Sequence, residues 1–493
     1  MAIAFDARTA RAALARLPEL AAQETLNPPD LPGVYVPVYH AKALHLDASV
    51  VVGMRGAGKS WWTAVLASPE HREFVSGQLQ SSVLSRVSAK VGFGLADTEA
   101  DFPRAETVVA LLDEGIDPIA IWLTVVLRHV LLEAKQEVPA AGGTWRDRVR
   151  WVVTHRDEVN ARLTAGDAEL TRRGQVLLVL FDAFDRLSND WDRVRRLSSA
   201  ALQLGLQLRS RRAIRLKFFI RPELDEDAET WSFADSSKLR HAKVDLAWSS
   251  ADLYGLVFMR LGNANDTGGF AAEFRRETTR EMALQWGKRQ GVHLLPPALM
   301  RDPLLQQRVI EGLADPYMGG GPKRGTTYTW VPLHLADAAG KISPRSYLLA
   351  FKRAAEHTAR DRPDHQRALH YSAIQEGVVK ASEIRVQEIA EDYPWVTPLL
   401  EAARGAVVPI TAEELSNRWT PEHIRRMRRA SANKLPPRRF TSDPIRKGSM
   451  GALIDDLVEL AVLYRTKDRR LNIPDIFRVG FGIKRKGGVK PPR

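Results

Sequence analysis

One glycine-rich motif at residues 53–60 constrains the fold of this chain more than any other feature. Its residues Gly53, Gly58, Lys59 and Ser60 fit the pattern G-x-x-x-x-G-K-[ST]. The apolar run 50–52 before it predicts a buried strand, and the run 61–66 after it predicts a helix. Strand, glycine loop and helix in this order form a phosphate-binding P-loop, whereas a plain glycine turn would match only by chance.

The motif assigns a chemical role to each part of the loop. Glycines let successive backbone N–H groups point into one concavity, and the helix N-terminus adds partial positive charge. Lys59 would reach the β- and γ-phosphates of ATP, and Ser60 would hold Mg²⁺, which prefers oxygen ligands. We expect the nucleotide to be bound by Gly53, Arg55, Gly56, Ala57, Gly58, Lys59, Ser60 and Trp61.

A second apolar run, 176–181, ends in Asp182. It predicts a buried parallel strand with an acid at its carboxyl end, where ligands bind in such sheets. We expect Asp182 to hold Mg²⁺, directly or through water. Asp185 could polarise the attacking water, although helix capping explains an aspartate there equally well.

The stretch 213–220 predicts the next core strand, and Arg221 follows it directly. An arginine at the same edge of the sheet would face the γ-phosphate of the nucleotide and stabilise its charge. A surface arginine beside the turn-forming Pro222 is the alternative.

Together these motifs resemble the AAA+/STAND group of P-loop ATPases. The second motif of STAND proteins runs as apolar residues, Asp, a small residue, an apolar residue and an acid, which residues 182–185 match. Residues 185–187 are also similar to KAP-type NTPases. The resemblance implies that Arg221 is the sensor 1 residue. Many AAA+ proteins place Glu directly after the Mg²⁺ aspartate, but here that residue is Ala183, so a slow nucleotide switch is an alternative to rapid hydrolysis.

A further helix start is predicted at residues 343–345. Ser343 is placed as the N-cap and Pro344 as the first helical residue. Arg345 then lies in the first turn, among backbone donors that favour an anion. The Pro-Arg pair resembles the sensor 2 motif of AAA+ lids, which implies a catalytic contact of Arg345 with the γ-phosphate. An ordinary surface arginine is the alternative.

The C-terminal region has the order helix, strand, helix, helix, hairpin, which resembles a winged helix. Winged helices often bind DNA through a helix in the major groove, but the corresponding segment 450–461 has an acidic exposed face. Basic residues are concentrated elsewhere, at Arg425, Arg426, Arg428, Arg429, Lys434, Arg438, Arg439, Lys484, Arg485, Lys486, Lys490 and Arg493. They predict either nonspecific phosphate contacts with nucleic acid or solvated loops on a winged helix that binds protein.

Composition narrows the class of protein. The net charge of +13 favours a polyanionic partner, nucleic acid first and an anionic membrane second. A generally Arg-rich proteome is the alternative explanation of this charge. The chain has no cysteine, which excludes disulfides, thiolate zinc sites and cysteine nucleophiles and suits a reducing cytoplasm. No apolar run approaches the ~18 residues of a membrane span, and the N-terminus lacks the pattern of a signal peptide. We therefore expect a cytoplasmic protein without membrane contact.

The sequence thus predicts an α/β fold, a P-loop NTPase parallel sheet with a helical insertion, a helical lid and a C-terminal winged-helix domain. The expected division is an N-terminal helix (1–32), an ATPase core (33–240) with its insertion (67–170), a lid (241–366), a connector (367–392) and the winged helix (393–493). We expect an ATP-binding and ATP-hydrolysing switch with a protein partner or effector and homo-oligomers. The resemblance implies a role in antiphage defence or signalling. A DNA-associated motor or initiator similar to origin-recognition ATPases and a non-hydrolysing ATP-bound scaffold are the alternatives.

Overall fold

The computed structural model describes residues 3–19, 27–79, 84–95, 99–265, 268–432, 435–442, 445–446 and 448–485. The chain forms two compact units. The sheet unit comprises Ala21–Ala247, and the helical unit comprises Met1–Leu20, which contains helix α1 (Ala7–Ala15), together with Trp248–Arg493. Among the described residues, no helix combines the length and the apolar character that crossing a membrane requires.

The sheet unit is built on five parallel strands in the order β2-β3-β4-β1-β5. The strands are β1 (Val50–Val52), β2 (Val87–Phe93), β3 (Val176–Phe181), β4 (Ile214–Ile220) and β5 (Val244–Asp245). Because all pairings are parallel, the carboxyl ends of β1, β3 and β4 meet at one edge. The glycine loop, Asp182 and Arg221 follow directly at that edge, so the predicted α/β fold with a parallel sheet is confirmed.

Helices flank this sheet along the sheet unit. They are α2 (His40–Leu44), α3 (Lys59–Ala67), α4 (Pro69–Gln78), α5 (Ala105–Asp113), α6 (Pro118–Glu133), α7 (Trp145–Thr154), α8 (Arg156–Arg172), α9 (Trp191–Gln207), α10 (Pro222–Glu226) and α11 (Ser237–His241). Helix α6 begins with Asp117 accepting a hydrogen bond from the Ile119 N–H and with Pro118 in the first turn. Its Trp122 indole donates to the Leu197 carbonyl of α9 at 2.9 Å.

The stretch 67–170 is mainly helical, as predicted, but it also contains the edge strand β2, which the prediction missed. Val87, Ala89, Val91 and Phe93 are buried, whereas Ser88 and Lys90 between them are partly exposed. This alternation has the period of a strand. A charged residue such as Lys90 also suits an edge strand, because it discourages pairing with another chain.

An aromatic cluster lies under the carboxyl end of β3. The Trp122 ring meets Phe181 edge-on at 5.6 Å, and Phe181 stacks on Phe218 at 5.2 Å. Phe184, two residues after Asp182, stacks on Phe181 at 6.1 Å. The buried rings therefore hold the segment that carries Asp182 against the sheet.

The helical unit contains the predicted lid and connector segments. Its helices are α12 (Ser250–Gly262), α13 (Phe270–Met282), α14 (Pro297–Arg301), α15 (Pro303–Leu313), α16 (Thr327–Leu335), α17 (Pro344–Asp361) and α18 (Tyr371–Asp392), with the hairpin β6 (Gly287–Arg289) and β7 (Val292–Leu294). Ser249 forms a capping box with Asp252, and Ser343 is the N-cap of α17. The start of α17 agrees with the prediction from the sequence.

The C-terminal part follows the predicted order of a winged helix and adds helices to it. Its elements are α19 (Val396–Glu401), β8 (Val407–Val408), α20 (Ala412–Ser416), α21 (Pro421–Ser431), α22 (Arg438–Ser442), α23 (Met450–Glu459), β9 (Tyr464–Arg465), β10 (Leu471–Asn472), α24 (Asp475–Arg478) and β11 (Lys484–Arg485). Strands β9 and β10 form the predicted hairpin, and Ile410 pairs with Leu471 at its base. The stretch expected only to be basic forms α21 and α22.

Candidate nucleotide-binding site

The glycine loop has the backbone conformation that its sequence requires. Gly56 and Gly58 have φ angles of 78° and 103°, in the left-handed region that favours glycine. A Cβ atom on Gly53 would lie 3.2 Å from Cγ of Lys59 and 3.3 Å from Cβ of Leu246. The loop therefore admits side chains poorly at three positions, and helix α3 starts immediately after it at Lys59.

Lys59 folds back over this loop. Its Nζ donates to the carbonyls of Gly53 at 2.7 Å and Met54 at 3.1 Å. Burial, aided by the positive charge of Arg221, lowers the pKa of Lys59 to about 8, although nearby carboxylates oppose the shift. The amine is therefore still mainly a cation at pH 7, as a phosphate ligand requires.

Asp182 is the most strongly buried carboxylate of this edge, with 1% of its surface exposed. Within the described residues, neither of its oxygens meets the geometry of a hydrogen bond. Burial raises the pKa of Asp182, while the Ser60 hydroxyl and the Lys59 charge act in the opposite direction. A buried carboxylate with so little compensation is costly, and a bound cation would remove that cost.

Ser60 and Asp182 have the oxygen chemistry that Mg²⁺ prefers, and their role as its ligands stays a prediction. A hydroxyl and a carboxylate that influence each other supply two oxygen ligands, and Mg²⁺ usually completes its shell with phosphate oxygens and water. The described residues contain no group of three or more His, Cys, Asp or Glu side chains that could hold a metal. The donor set therefore suits an ion that arrives with a nucleotide.

Asp185 and Arg221, predicted from separate motifs, form an ion pair. The Arg221 Nη2 lies 2.6 Å from Oδ2 of Asp185, and both side chains are mostly buried. Asp185 lies in a short 3₁₀ turn, and the N-cap of the next helix, α9, is Asp190. Asp190, and not Asp185, therefore caps helix α9, so helix capping does not explain the aspartate at position 185.

Ala183 lies between Asp182 and this turn and has an unusual backbone conformation. Its φ of 57° and ψ of 34° are left-handed, which costs an alanine about 1 kcal/mol or more. Such strain persists only where the surroundings impose it, often at a functional site. Here it turns the chain sharply between Asp182 and Phe184.

Arg345 lies in the helical unit, in the first turn of α17, as predicted. Its Nη1 pairs with Oε1 of Glu388 on α18, and Arg385 donates to the other oxygen at 2.9 Å. The Arg345 side chain is 18% exposed, so it is not an ordinary surface arginine. Its anionic partner in this structure is a carboxylate of its own unit, and the sensor 2 role stays a prediction.

Two residues near the loop carry no motif and were not predicted. His40 accepts a hydrogen bond from the Trp62 indole at 3.0 Å through Nδ1, and its Nε2 lies 3.0 Å from the Ala247 carbonyl. Burial lowers the pKa of His40 to about 3, so the ring is neutral and anchors α3. Glu223, in the first turn of α10, is among the charges that act on Lys59. A lone histidine and a lone glutamate give no sequence signal.

The other predicted nucleotide contacts lie where the motif places them. Arg55 and Ala57 belong to the loop, and Trp61 follows Ser60 in the first turn of α3. The Trp61 ring is partly exposed and meets Trp62 edge-on at 4.6 Å. This pair offers an intrinsic fluorescent reporter beside the loop.

In the C-terminal part, the acidic face of α23 is covered by basic residues. Asp455 pairs with Arg446 and Arg465, both at 2.6 Å, and Glu459 pairs with Arg438 at 2.6 Å and Arg439 at 3.0 Å. Helix α21 instead exposes four arginines, at positions 425, 426, 428 and 429. Lys434, Lys486, Lys490 and Arg493 lie outside the described residues.

No protein-family model and no curated protein matches this chain. Solved structures that are similar to it include the following three. The Aeropyrum pernix ORC1 protein in complex with DNA has 13% identity and a TM-score of 0.33, covering 90% of this chain and 91% of its own. The CDC6P protein from Pyrobaculum aerophilum has 12% identity and a TM-score of 0.28, and the match covers 87% of this chain and 84% of its own. The Aeropyrum pernix ORC2 protein (ADPNP-ADP complexes) has 14% identity and a TM-score of 0.30, and the match covers 93% of this chain and 98% of its own.

These likenesses do not bear on the STAND or KAP-type subgroups. Their identities and TM-scores are low, so the proposals below rest on the residues of this chain.

Proposed function

We propose that this protein binds ATP with Mg²⁺ at the loop 53–60 and hydrolyses it, and that the bound nucleotide sets its conformational state. The observation that carries the proposal is the buried Asp182 carboxylate beside Ser60 and Lys59. A fold has no structural reason to bury a charge with so few partners. A cation that binds together with the nucleotide would pair with the Asp182 carboxylate and so explain its burial.

Each residue at this edge then has a defined task. The loop amides and Lys59 hold the phosphates, which requires Lys59 to exchange its two carbonyl partners for phosphate oxygens. Ser60 and Asp182 would hold Mg²⁺, which supplies neutralisation of phosphate charge when it is bound. Arg221, already oriented by Asp185, stabilises the charge of the γ-phosphate.

Nucleotide titrations monitored by tryptophan fluorescence test the binding step, because Trp61 and Trp62 adjoin the loop. We expect Lys59→Ala to weaken ATP binding at least tenfold, and Asp182→Asn to abolish the dependence of that binding on Mg²⁺. Lys238→Ala and Asp192→Asn are matched controls, because both residues form exposed ion pairs that contribute little. Equal affinities in all five proteins would refute the proposed site.

A DNA-associated function is the second candidate, and helix α21 favours it. Arg425, Arg428 and Arg429 lie on its exposed side at spacings of three and four residues, so they share one face. Arg425 pairs with Glu422 at an exposed position, and the guanidinium of Arg428 lies over the Phe440 ring. Exposed arginines at this spacing can follow phosphates, whereas the acids of α23 are already paired.

The dependence of duplex binding on salt tests this candidate. We expect Arg428→Ala with Arg429→Ala to weaken binding of duplexes of any sequence and to reduce the salt slope by about two. Arg156→Ala with Arg172→Ala, exposed on α8, controls for net charge. An equal loss in both double variants would assign the effect to overall charge. The scaffold alternative and the roles in defence and signalling stay predictions.

A further inference from the structure

The sheet unit contains a cavity of about 360 Å³ that is separate from the glycine loop. Four leucines contribute to its lining: Leu123 from α6, Leu163 from α8, and Leu204 and Leu208 from the end of α9 and the turn after it. The last three are buried, and Leu123 is partly buried. The volume lies in the range of small-molecule sites, which combine apolar walls with a few polar groups. The leucines can therefore pack against an apolar group.

The polar part of the lining comes from the turn between α9 and β4. Arg211 and Arg212 both line the cavity, and strand β4 starts two residues later at Ile214. Arg221 follows the other end of β4, at the edge that carries the glycine loop. Because a strand advances about 3.3 Å per residue, the length of β4, roughly 23 Å, separates the two places. The cavity is therefore distinct from the nucleotide-binding edge.

This turn concentrates positive charge that the fold does not neutralise. Four arginines fall within residues 209–215, at positions 209, 211, 212 and 215. Within the described residues, none of their guanidinium groups pairs with a carboxylate. The Arg211 Nη1 donates to the Thr164 hydroxyl at 2.9 Å, and the Arg215 Nη1 donates to the Arg211 carbonyl at 2.5 Å. A guanidinium has five N–H donors, so these contacts leave most of them available to a ligand.

The carboxylate in the lining does not neutralise these arginines, because backbone amides occupy it. Asp167 of α8 accepts hydrogen bonds from the N–H groups of Arg212 at 3.1 Å and Ala213 at 2.7 Å. These two bonds fix the backbone of the turn against α8. The lining thus holds two cationic side chains and one committed carboxylate, and Arg209 and Arg215 beside it add positive charge. The electrostatics of the cavity favour an anion.

We propose that this cavity is a binding site for a small organic anion with an apolar body, of which a medium-chain carboxylate is the simplest example. Its hydrocarbon part packs against the leucines, and its charged end accepts hydrogen bonds from Arg211 and Arg212. An inorganic anion would leave the apolar walls without a partner. A neutral apolar molecule would leave the guanidinium groups without one. Only a ligand with both parts matches the whole lining.

Calorimetric titration of the full chain with decanoate, octanoate, acetate and decanol tests the proposal. We expect one decanoate to bind, about 15-fold more tightly than octanoate, because each buried methylene contributes about fourfold. Acetate should not bind measurably. Arg212→Met removes an exposed charge and should weaken decanoate binding about tenfold or more, while decanol binding, which needs only the leucines, stays unchanged. Arg209→Met is the matched control, because Arg209 is exposed on the same turn and does not line the cavity.

Four results would overturn the proposal. An equal loss in Arg209→Met would assign the binding to general positive charge. Decanol that binds the wild type as tightly as decanoate would show that the arginines contribute nothing. An Arg212→Met protein that loses decanol as well as decanoate would indicate a structural role for Arg212. Wild-type protein without saturable decanoate binding would refute the site, and duplex DNA binding that only Arg212→Met weakens would then mark the turn as a nucleic-acid surface.

Discussion

Replacing Asp182 with asparagine should stabilise this protein in the absence of nucleotide while destroying its function. The carboxylate is buried and makes no hydrogen bond within the described residues, so its charge is a net cost to the fold. Burying an ion costs several kcal/mol of folding free energy. The Lys59 charge and the Ser60 hydroxyl reduce this cost, because both favour the charged carboxylate. The asparagine amide would also lack hydrogen-bond partners, and an unsatisfied buried polar group costs about 1–3 kcal/mol of folding free energy.

The net stabilisation is therefore about 1–2 kcal/mol. For a unit of this size, each 1 kcal/mol corresponds to roughly 2–4 °C in Tm. Thermal melts without nucleotide should thus show the Asp182→Asn protein melting several degrees above the wild type. With Mg²⁺ and ATP at about 100 times the Kd, the wild type gains about 2.7 kcal/mol, and the order of the two melting temperatures should reverse.

The pH dependence of this difference follows from the raised pKa of Asp182. Above the ordinary carboxyl pKa the folded state binds more protons at this residue than the unfolded state, so its destabilising effect grows as pH rises. The advantage of Asp182→Asn should therefore shrink as pH falls and vanish where the folded carboxyl is protonated. An Asp182→Asn protein that melts below the wild type without nucleotide would refute the reasoning, because it would mean that the carboxylate has stabilising partners.

Two further predictions concern groups that support the site. His40 stays neutral in the fold, with its pKa lowered by burial to about 3, whereas the unfolded chain binds a proton below its ordinary pKa of 6.5. Stability therefore falls as pH drops through this window, by about 2 kcal/mol at pH 5, and urea unfolding at pH 7 and pH 5 should show this loss reduced in His40→Gln. The buried Lys217 Nζ donates to the carbonyls of Ala43, His45 and Ala48. Lys217→Met removes the ammonium from all three carbonyls, of which that of His45 still accepts a hydrogen bond from the Ala48 N–H. The variant should cost on the order of 3 kcal/mol in urea unfolding, whereas an unchanged midpoint would show that water replaces the ammonium.

The parts of the site that lie next to one another in sequence were predictable. The glycine loop and the acid after β3 are local patterns with a fixed geometry, because loop and strand end belong to consecutive residues. The start of α17 was likewise predicted, since Pro344 acts on its own first turn. Strand β2 carried a readable alternation, and it was missed because helical residues surround it.

Side-chain contacts that depend on the order of the strands in the sheet could not be predicted. Asp185 meets Arg221 only because β3 and β4 are adjacent in the sheet, which no local pattern specifies. The same holds for Glu223, whose charge acts on Lys59 because β4 pairs with β1. Arg345 was placed correctly on its helix, but its partner Glu388 lies on the next helix.

The most direct test is the steady-state release of phosphate from ATP by the purified protein with Mg²⁺, compared with Lys59→Ala and Asp182→Ala. We expect turnover in the wild type that depends on Mg²⁺ and is lost in both variants, because one removes the phosphate ligand and the other the metal ligand. Turnover that persists in either variant, or a wild type that neither binds nor hydrolyses ATP, would contradict the assignment of this edge of the sheet as an ATPase site.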